Sequence, residues 1–358
     1  MLENELKHPK HLLIMRLSAI GDVAMTVPVV LALRQQYPKL KITIVSRPLF
    51  KSFFTSIPDI HFYAADVEDS QTGLQGLYKL YKDLSILGID AFADLHNVLR
   101  SKVIATFFKW NKVPVVSLNK DRKERKKLTA LAPKVLSPMK SMIDRHAEVC
   151  KKLQLPITLS EVKLFDKQPM SIEIERISGE KNSKWIGIAP FATYETKMYP
   201  LNLMKEVIQL LLQEEVKIFL FGGGKKEVEQ LKSMASVSNN CINMAGTLTF
   251  QQELDLISNL DLMLSMDSGN GHMAAMYKVP VITMWGNTHP FTGFVPFRQP
   301  IENSLLPDME KYPFLPTSVY GNKIVPGYTD CMKTIQPEVV VKKINQLLAQ
   351  SITEKQKK

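Results

Sequence analysis

Short apolar runs alternate along the chain with longer stretches in which apolar residues recur at helical spacing. The runs predict strands, and the stretches between them predict helices. In the first half we predict strands at 11–16, 41–46, 60–63, 91–96 and 113–117, and helices at 23–36, 49–56, 73–87 and 98–110. Strands that alternate with helices of this length indicate a parallel sheet covered on both faces.

The alternation starts again after a weaker, polar region at 161–183. It predicts strands at 184–189, 216–221, 241–243, 264–266 and 279–284, and helices at 201–213, 225–234, 250–258 and 337–350. We therefore predict an α/β protein with two doubly wound domains that face each other across a cleft. Its predicted parts are an N-terminal domain at 1–160, a linker at 161–183, a second domain at 184–335, and a C-terminal helix with a disordered, Lys-rich tail at 336–358.

Polar residues gather where the apolar run at 264–266 ends. Asp267, Ser268 and Gly269 come directly after the predicted strand, and His272 follows one helical turn later. The N–H groups and the dipole of a helix start favour an anion at such a turn. The alternative is an ordinary helix cap with a packed histidine, but four polar groups in six residues favour a ligand site.

Asp22 lies in the loop that follows the first predicted strand, at the ligand edge of the first sheet. An aspartate here is also typical of a helix N-cap. The functional alternative is a general base that accepts a proton from an acceptor hydroxyl. The sequence leaves both interpretations open.

Two loops of the second domain carry further candidate ligand groups. Lys197 lies between a strand and a helix, where it is either a surface lysine or a phosphate ligand. The triplet 222–224 is three glycines after a strand, which predicts either a tight turn or close backbone approach to a nucleotide. A Gly-x-Gly-x-x-Gly fingerprint is absent after the first strand, so a nicotinamide enzyme is disfavoured.

The chain carries 46 Lys and Arg against 35 Asp and Glu, a formal charge of +11. Six basic residues fall within 120–127. This run is either a solvated surface or a binding surface for an anionic acceptor or membrane face. Aromatic residues are not interleaved with it, which argues against a stacking platform for single-stranded nucleic acid.

Cysteine spacing and the N-terminal sequence exclude several other classes. Cys150, Cys241 and Cys331 are scattered, which favours a reducing compartment and argues against a structural zinc site. No Asp-x-Asp pair or cluster of metal-ligand residues occurs in the sequence, so no metal or other cofactor is expected. The start of the chain fits neither a signal peptide nor a membrane-spanning helix.

Together these motifs resemble glycosyltransferase family 9, the lipopolysaccharide heptosyltransferases. The resemblance extends from about residue 11 to residue 348, and its motifs follow one another in the same order as in the family. These motifs are 16–23 with Pro28, 94–101, Lys197 before Pro200, 267–269 with His272, and 279–281 leading to Gly286. It departs from the family at 270–271 and 287–290, both beside the donor. A long Pro-rich segment at 296–330 is also unusual.

The resemblance implies a GT-B fold and an inverting, metal-independent transfer of heptose from ADP-heptose to the inner core of lipopolysaccharide. Asp22 would be the general base. The implied donor-binding residues are Thr193, Lys197, Gly222, Gly223, Asp267, Ser268, Gly269 and His272. For an anionic, lipid-linked acceptor of lipid A/Kdo type we predict Ser18, Gly21, Arg47, Asn97, Arg100, Arg122 and Arg125.

By this interpretation the protein is cytoplasmic, in peripheral contact with the inner membrane, and binds no nucleic acid. Two other classes remain open. A sugar-nucleotide epimerase of the same fold would turn over the donor without an acceptor. A basic nucleic-acid-binding protein would show steeply salt-dependent affinity.

Overall fold

The computed structural model describes residues 8–356. This part of the chain contains eleven strands and twelve α-helices. The strands are β1 His11–Met15, β2 Lys41–Ser46, β3 Ile60–Ala64, β4 Ala91–Asp94, β5 Val115–Ser117, β6 Lys184–Ala189, β7 Val216–Leu220, β8 Cys241–Asn243, β9 Leu262–Met266, β10 Val281–Met284 and β11 Ser304–Leu305. The helices are α1 Ile20–Ala24, α2 Val27–Gln36, α3 Gly73–Ser85, α4 Leu99–Trp110, α5 Arg122–Leu128, α6 Met142–Lys152, α7 Ile172–Ser178, α8 Leu201–Leu211, α9 Lys225–Ala235, α10 Phe250–Ser258, α11 Gly269–Met276 and α12 Pro337–Gln356.

These elements form two compact units. Unit 1 contains residues 8–120 and 141–164, and unit 2 contains 121–140 and 165–356. Unit 1 has a parallel sheet in the order β3-β2-β1-β4-β5, and unit 2 has a parallel sheet in the order β11-β10-β9-β6-β7-β8. In both sheets the first strand of the unit lies beside the fourth, which is the doubly wound order with its ligand crevice at that pair. The predicted α/β class with two such sheets is confirmed.

Each sheet is buried because its strands are apolar on both faces. In unit 1, Leu12, Leu13, Ile14 and Met15 of β1 are all at most 1% exposed. Such continuous burial requires helices on both faces of the sheet. It also fixes the sheet edge at which the functional loops emerge.

The predicted helix at 23–36 is two helices in the structure. α1 ends at Ala24, and Thr26 starts the next turn with its Oγ1 donating to Val23 O at 2.7 Å. Pro28, the second residue of α2, has no N–H to continue a helix from the preceding turn. The break separates the short helix that carries Asp22 from the buried helix α2.

The structure divides the chain differently from the predicted boundaries. The predicted linker at 161–183 contains α7, whose Ile174 is fully buried. Val340, Ile344 and Leu348 of α12 pack into the core of unit 2, so this helix is part of that unit. α12 extends to Gln356, into the part of the chain for which a disordered tail was predicted. Residues 357–358 of that predicted tail lie outside the described residues, as does the polar start at 1–7.

Segment 121–140 belongs to unit 2, although the prediction placed it in the N-terminal domain. The Lys134 ammonium donates to four carbonyls, those of Leu128 at 2.8 Å, Ala130 at 3.4 Å, Phe314 at 2.8 Å and Pro316 at 2.7 Å. Met139 N–H donates to Phe291 O at 2.9 Å. These bonds to 291–316 hold the segment, which we name the strap, on unit 2.

Candidate active site

The loops after β6 and β9 lie side by side at the carboxyl edge of the unit 2 sheet. β6 and β9 are paired in register from Ile186 with Leu262 to Ala189 with Ser265. Both strands therefore end at the same level, and the loop that contains Lys197 meets the turn that contains Asp267. This is the point at which a doubly wound sheet binds ligands.

Lys197 and Asp267 form an ion pair at this point. Lys197 Nζ lies 3.0 Å from Asp267 Oδ2, and the two side chains are only 13% and 7% exposed. Burial of both partners reduces screening by water, so the pair holds each charge in a defined position. The structure thus brings together two predicted donor residues that are far apart in sequence.

Three backbone positions hold the Lys197 loop in place. A Cβ at Gly286 would lie 2.2 Å from Thr196 O, so only glycine allows this approach. Asn287 N–H donates to the same Thr196 O at 2.9 Å. Gly321 packs against the Lys197 stem, where a Cβ would lie 2.5 Å from two of its carbons.

The N-terminus of α11 is organised by Ser265. Its Oγ accepts from Gly271 N–H at 3.2 Å and lies 3.2 Å from Ser268 Oγ. Ser268 is the N-cap residue of α11, and Gly269 begins the helix. His272 is 7% exposed one turn later. The predicted anion-binding residues are therefore all at the start of one helix, beside Asp267.

The remaining predicted donor residues lie on neighbouring loops. Gly222 follows β7, and a Cβ there would approach Leu231, Glu227 and Phe191 at 2.9–3.2 Å. Gly223 N–H donates to Glu227 Oε2 at 2.8 Å, so this N–H already has a carboxylate partner. Thr193 is exposed in the loop after β6. Their part in donor binding stays a prediction.

Unit 1 repeats this arrangement at the pair β1 and β4. Arg16 follows β1, and its Nη1 donates to Leu95 O, just after β4, at 2.7 Å. Its Nε donates to Ser18 O at 2.8 Å, and its Nη2 lies 2.5 Å from Asp22 Oδ2. The guanidinium fork thus fixes the β1 loop, the β4 loop and Asp22 in one arrangement.

Asp22 stabilises the start of α1 without being its N-cap residue, which is Ala19. It is the third residue of α1, and its Oδ2 accepts from Ala19 N–H at 3.3 Å in a capping box. Its side chain remains 24% exposed. Burial alone would raise the pKa of Asp22, but the Arg16 charge and the Ala19 N–H outweigh it, and the pKa is lowered. The carboxylate is therefore ionised at neutral pH and accessible.

Two neighbouring histidines are uncharged. Burial, together with the nearby Arg16 charge, lowers the pKa of His146 to about 3. Burial and Arg16 likewise lower the pKa of His96 to about 3. Neither imidazole is charged at neutral pH, so Arg16 is the cation that keeps Asp22 ionised.

Three predicted acceptor residues line one cavity of unit 1, with a volume of about 420 Å³. Ser18, Arg47 and Arg100 lie in its wall together with His96 and Glu68. Arg47 forms an ion pair with Glu68. Two arginines in one pocket fit an anionic group.

The other predicted acceptor residues have different surroundings. Asn97 uses its Nδ2 to donate to Leu118 O at 2.6 Å, a bond that ties the β4 loop to the end of β5. Gly21 lies in the first turn of α1 beside Asp22. Their contact with an acceptor stays a prediction.

Arg122 and Arg125 lie in α5 on the strap, so they are in unit 2 and not in the predicted N-terminal domain. Arg122 is exposed. Arg125 is 9% exposed, donates to Tyr320 OH, and lies 5.0 Å from the centre of that ring. This arginine anchors the strap, because its side chain is used in packing within unit 2.

Three further observations concern metals, thiols and membranes. Within residues 8–356, no group of three His, Cys, Asp or Glu side chains lies close enough together to hold a metal ion. Cys150, Cys241 and Cys331 are buried free thiols. No helix in the described part of the chain has the length and apolarity needed to cross a bilayer.

Sequence reasoning missed the groups that position the site. Arg16 was noted only as part of a motif, and Gly321 was not noted at all. The signal for Arg16 was a charged residue at the end of an otherwise apolar strand. Gly321 offered no local signal, because its contact with Lys197 depends on tertiary structure.

Comparison with known proteins supports the family. A sequence model of glycosyltransferase family 9 (heptosyltransferase) matches residues 77–316. The lipopolysaccharide core heptosyltransferase OpsX of Haemophilus influenzae is 27% identical over 294 residues, covering 79% of this chain and 80% of that protein.

Solved structures share the fold over nearly the whole chain. The glycosyl transferase family 9 protein of Veillonella parvula superimposes with a TM-score of 0.74 at 17% identity, covering 95% of this chain and 98% of that one. The ADP-heptose lps heptosyltransferase II of E. coli has a TM-score of 0.67 at 17% identity, covering 95% and 99%. The predicted GT-B fold, built from two Rossmann-like domains, is confirmed. Because the family match covers more than half of the chain, this chain belongs to glycosyltransferase family 9 (heptosyltransferase) and is a glycosyltransferase.

Proposed function

We propose that the protein transfers heptose from ADP-heptose to a sugar of the lipopolysaccharide inner core, with inversion at the anomeric carbon. Support for this donor and acceptor comes from the family and from the relatives, which are lipopolysaccharide heptosyltransferases. The protein would work in the cytoplasm, at the inner face of the membrane that carries the acceptor.

Asp22 is the proposed general base. The observation that carries this assignment is its ionised, 24% exposed carboxylate, held by Arg16 at 2.5 Å. As the acceptor hydroxyl attacks the anomeric carbon, its oxygen gains positive charge and its proton passes to Asp22. The bond from the anomeric carbon to the diphosphate breaks in the same step, and ADP leaves with the electron pair.

The leaving diphosphate is the proposed ligand of the unit 2 loops. Lys197 is held in position by Asp267, and the start of α11 presents backbone N–H groups at Ser268 and Gly269. A cation and a helix N-terminus stabilise the charge that develops on the leaving group, a task that other enzymes give to a divalent ion. We assign Thr193 and His272 to the phosphates, Gly222 and Gly223 to the nucleotide, and Asp267 also to the donor sugar.

The acceptor is the proposed ligand of unit 1. Ser18, Gly21, Arg47, Asn97 and Arg100 lie in the loops and first helical turns at the carboxyl edge of its sheet, and three of them line the 420 Å³ cavity. Arginines in this cavity suit the carboxylate or phosphate of a lipid A/Kdo type acceptor.

Asp22→Asn is the direct test, because it keeps the size of the side chain and removes its basicity. We expect kcat to fall about 10²–10⁴-fold with ADP-heptose and a Kdo-lipid A acceptor. The rise in unfolding temperature produced by ADP should not change, since donor binding uses unit 2. Transfer at the wild-type rate would contradict the role of Asp22.

Three further measurements test this function against its alternatives. Incubation of the wild-type chain with ADP-heptose alone should leave the sugar unchanged, whereas an epimerase would convert it. Full activity in EDTA is expected if Lys197 and α11 stabilise the leaving group. ADP should stabilise the chain more than UDP or GDP, and a lack of response to all three would contradict the proposed donor.

A further inference from the structure

The strap and the loop 311–326 form one continuous surface of unit 2. Lys134 Nζ donates to the carbonyls of Phe314 and Pro316, at 2.8 and 2.7 Å. Arg125 of the strap packs on the Tyr320 ring at 5.0 Å. We name the exposed side of these two segments the docking surface.

The docking surface exposes apolar side chains. They are between 38% and 73% exposed, and they are Leu131, Val135, Leu136, Phe314, Tyr320 and Ile324. Contiguous exposed apolar side chains of this size mark a surface that binds a partner. Lys134 joins the two segments, because its ammonium lies within hydrogen-bond distance of carbonyls on the strap, at Leu128 and Ala130, and on the loop, at Phe314 and Pro316.

The docking surface is also strongly basic. The strap contains seven Lys and Arg against two Asp and Glu, and residues 311–326 add two lysines and no acidic residue. Lys123, Lys126, Lys140, Lys311 and Lys323 are all exposed. The apolar side chains are thus bordered by cations on both segments.

We propose that this surface of unit 2 binds the headgroup layer of an anionic phospholipid bilayer. Leu131, Val135, Leu136 and Ile324 enter the interfacial layer, while the surrounding lysines pair with lipid phosphates. The inference rests on the proposed function, which supplies the lipid-linked acceptor, and it assigns the membrane contact to unit 2. A nucleic acid would match the charge, and Phe314 and Tyr320 offer rings for stacking, but the four aliphatic side chains offer no plane on which a base stacks.

The test is sedimentation of the full-length chain with lipid vesicles, without any nucleotide sugar. We expect binding to vesicles of phosphatidylcholine mixed with phosphatidylglycerol, and little binding to phosphatidylcholine alone. The variant Lys123→Glu/Lys126→Glu/Lys323→Glu should lower the lipid partition coefficient by at least about tenfold. The variant Leu131→Ser/Val135→Ser/Leu136→Ser should also lower it, by about tenfold.

Matched controls separate this surface from net charge and general apolarity. Lys79→Glu/Lys151→Glu/Lys152→Glu makes the same change in charge at exposed positions of unit 1. Leu74→Ser/Ile86→Ser/Ile172→Ser removes apolar side chains that are 72%, 84% and 76% exposed elsewhere. Both control variants should sediment with the anionic vesicles as the wild type does.

Four results would overturn the proposal. The wild type does not sediment with anionic vesicles, or the control lysine variant loses as much vesicle binding as the docking-surface lysine variant. The serine variant of the strap binds vesicles as the wild type does, or the chain binds single-stranded RNA more tightly than vesicles.

The ADP-induced rise in unfolding temperature, measured on the same samples, distinguishes this proposal from the proposed function. Vesicle binding without an ADP response contradicts the proposed function alone. An ADP response without vesicle binding contradicts the docking surface alone.

Discussion

At the scale of single residues, the site depends on side chains that hold others in position. Arg16 contacts the β1 loop, the β4 loop and Asp22, and each of its three guanidinium nitrogens has a partner. The ion pair lowers the pKa of Asp22 although burial opposes it. Arg16 therefore sets the charge of the Asp22 carboxyl group as well as its place.

Arg16→Gln tests this assignment through the pH dependence of kcat/KM. Without the guanidinium, burial of Asp22 is no longer outweighed, so its pKa rises. The acid limb of the profile should therefore move to higher pH. Arg176→Gln, at an exposed arginine of α7, should leave the limb in place. An unmoved limb in Arg16→Gln would argue that another group sets the charge of the base.

Gly286→Ala tests the backbone that holds Lys197. The added Cβ would lie 2.2 Å from Thr196 O, so the Lys197 loop must shift, at a cost of about 1–3 kcal/mol in unfolding free energy. ADP should then raise the unfolding temperature less than in the wild type. Gly223→Ala is the matched control for stability, because its Cβ meets no atom within 4 Å. An unchanged ADP response in Gly286→Ala would show that this approach is not needed.

At the scale of elements, most predicted strands and helices are present, and the differences have local causes. β2, β6, β8 and α10 begin and end where the sequence predicts. The helix predicted at 23–36 is split at Thr26 and Pro28. The prediction missed this break because it used the spacing of apolar residues, which does not reveal a helix cap or a proline. The strap was placed in the wrong unit, because its position depends on Lys134 and on carbonyls 180 and 182 residues further along the chain.

Lys134→Met should release the strap. The carbonyls of Leu128, Phe314 and Pro316 lose a charged donor, and we expect the unfolding free energy of unit 2 to fall by about 1–3 kcal/mol. Trypsin should then cut faster within 122–127. Lys232→Met removes a lysine of unit 2 whose pairing with Glu229 is at the surface, outside the cleavage window, and it should change neither quantity. Equal cleavage rates in both variants would argue against the anchor.

At the scale of the whole molecule, two sheets of the same order carry different chemistry at their switch points. Unit 1 presents an ionised carboxylate and arginines, and unit 2 presents a lysine and a helix N-terminus. The proposed acceptor and donor are therefore ligands of different units.

Hydrogen exchange in the presence of ADP tests this division. Backbone amides at 190–200 and 267–276 should exchange more slowly, because ADP stabilises the state that binds it. Amides of β1 to β5 and of residues 16–22 should keep their rates. Protection confined to unit 1 would reverse the assignment of donor and acceptor.

The sequence by itself determined the local structure and the positions of the functional loops. Apolar alternation identified the strands, and the motifs at their carboxyl ends located Asp22, Lys197 and Asp267 at ligand edges. Neighbouring residues control these features, so a single sequence is enough to reveal them.

Only the tertiary structure decided which of these groups meet. Arg16 contacts Leu95, 79 positions away, and Lys197 pairs with Asp267 only because β6 and β9 are adjacent in the sheet. The strap belongs to unit 2 through the same kind of distant contact. Strand order and packing bring distant segments together, and no local periodicity encodes those pairings.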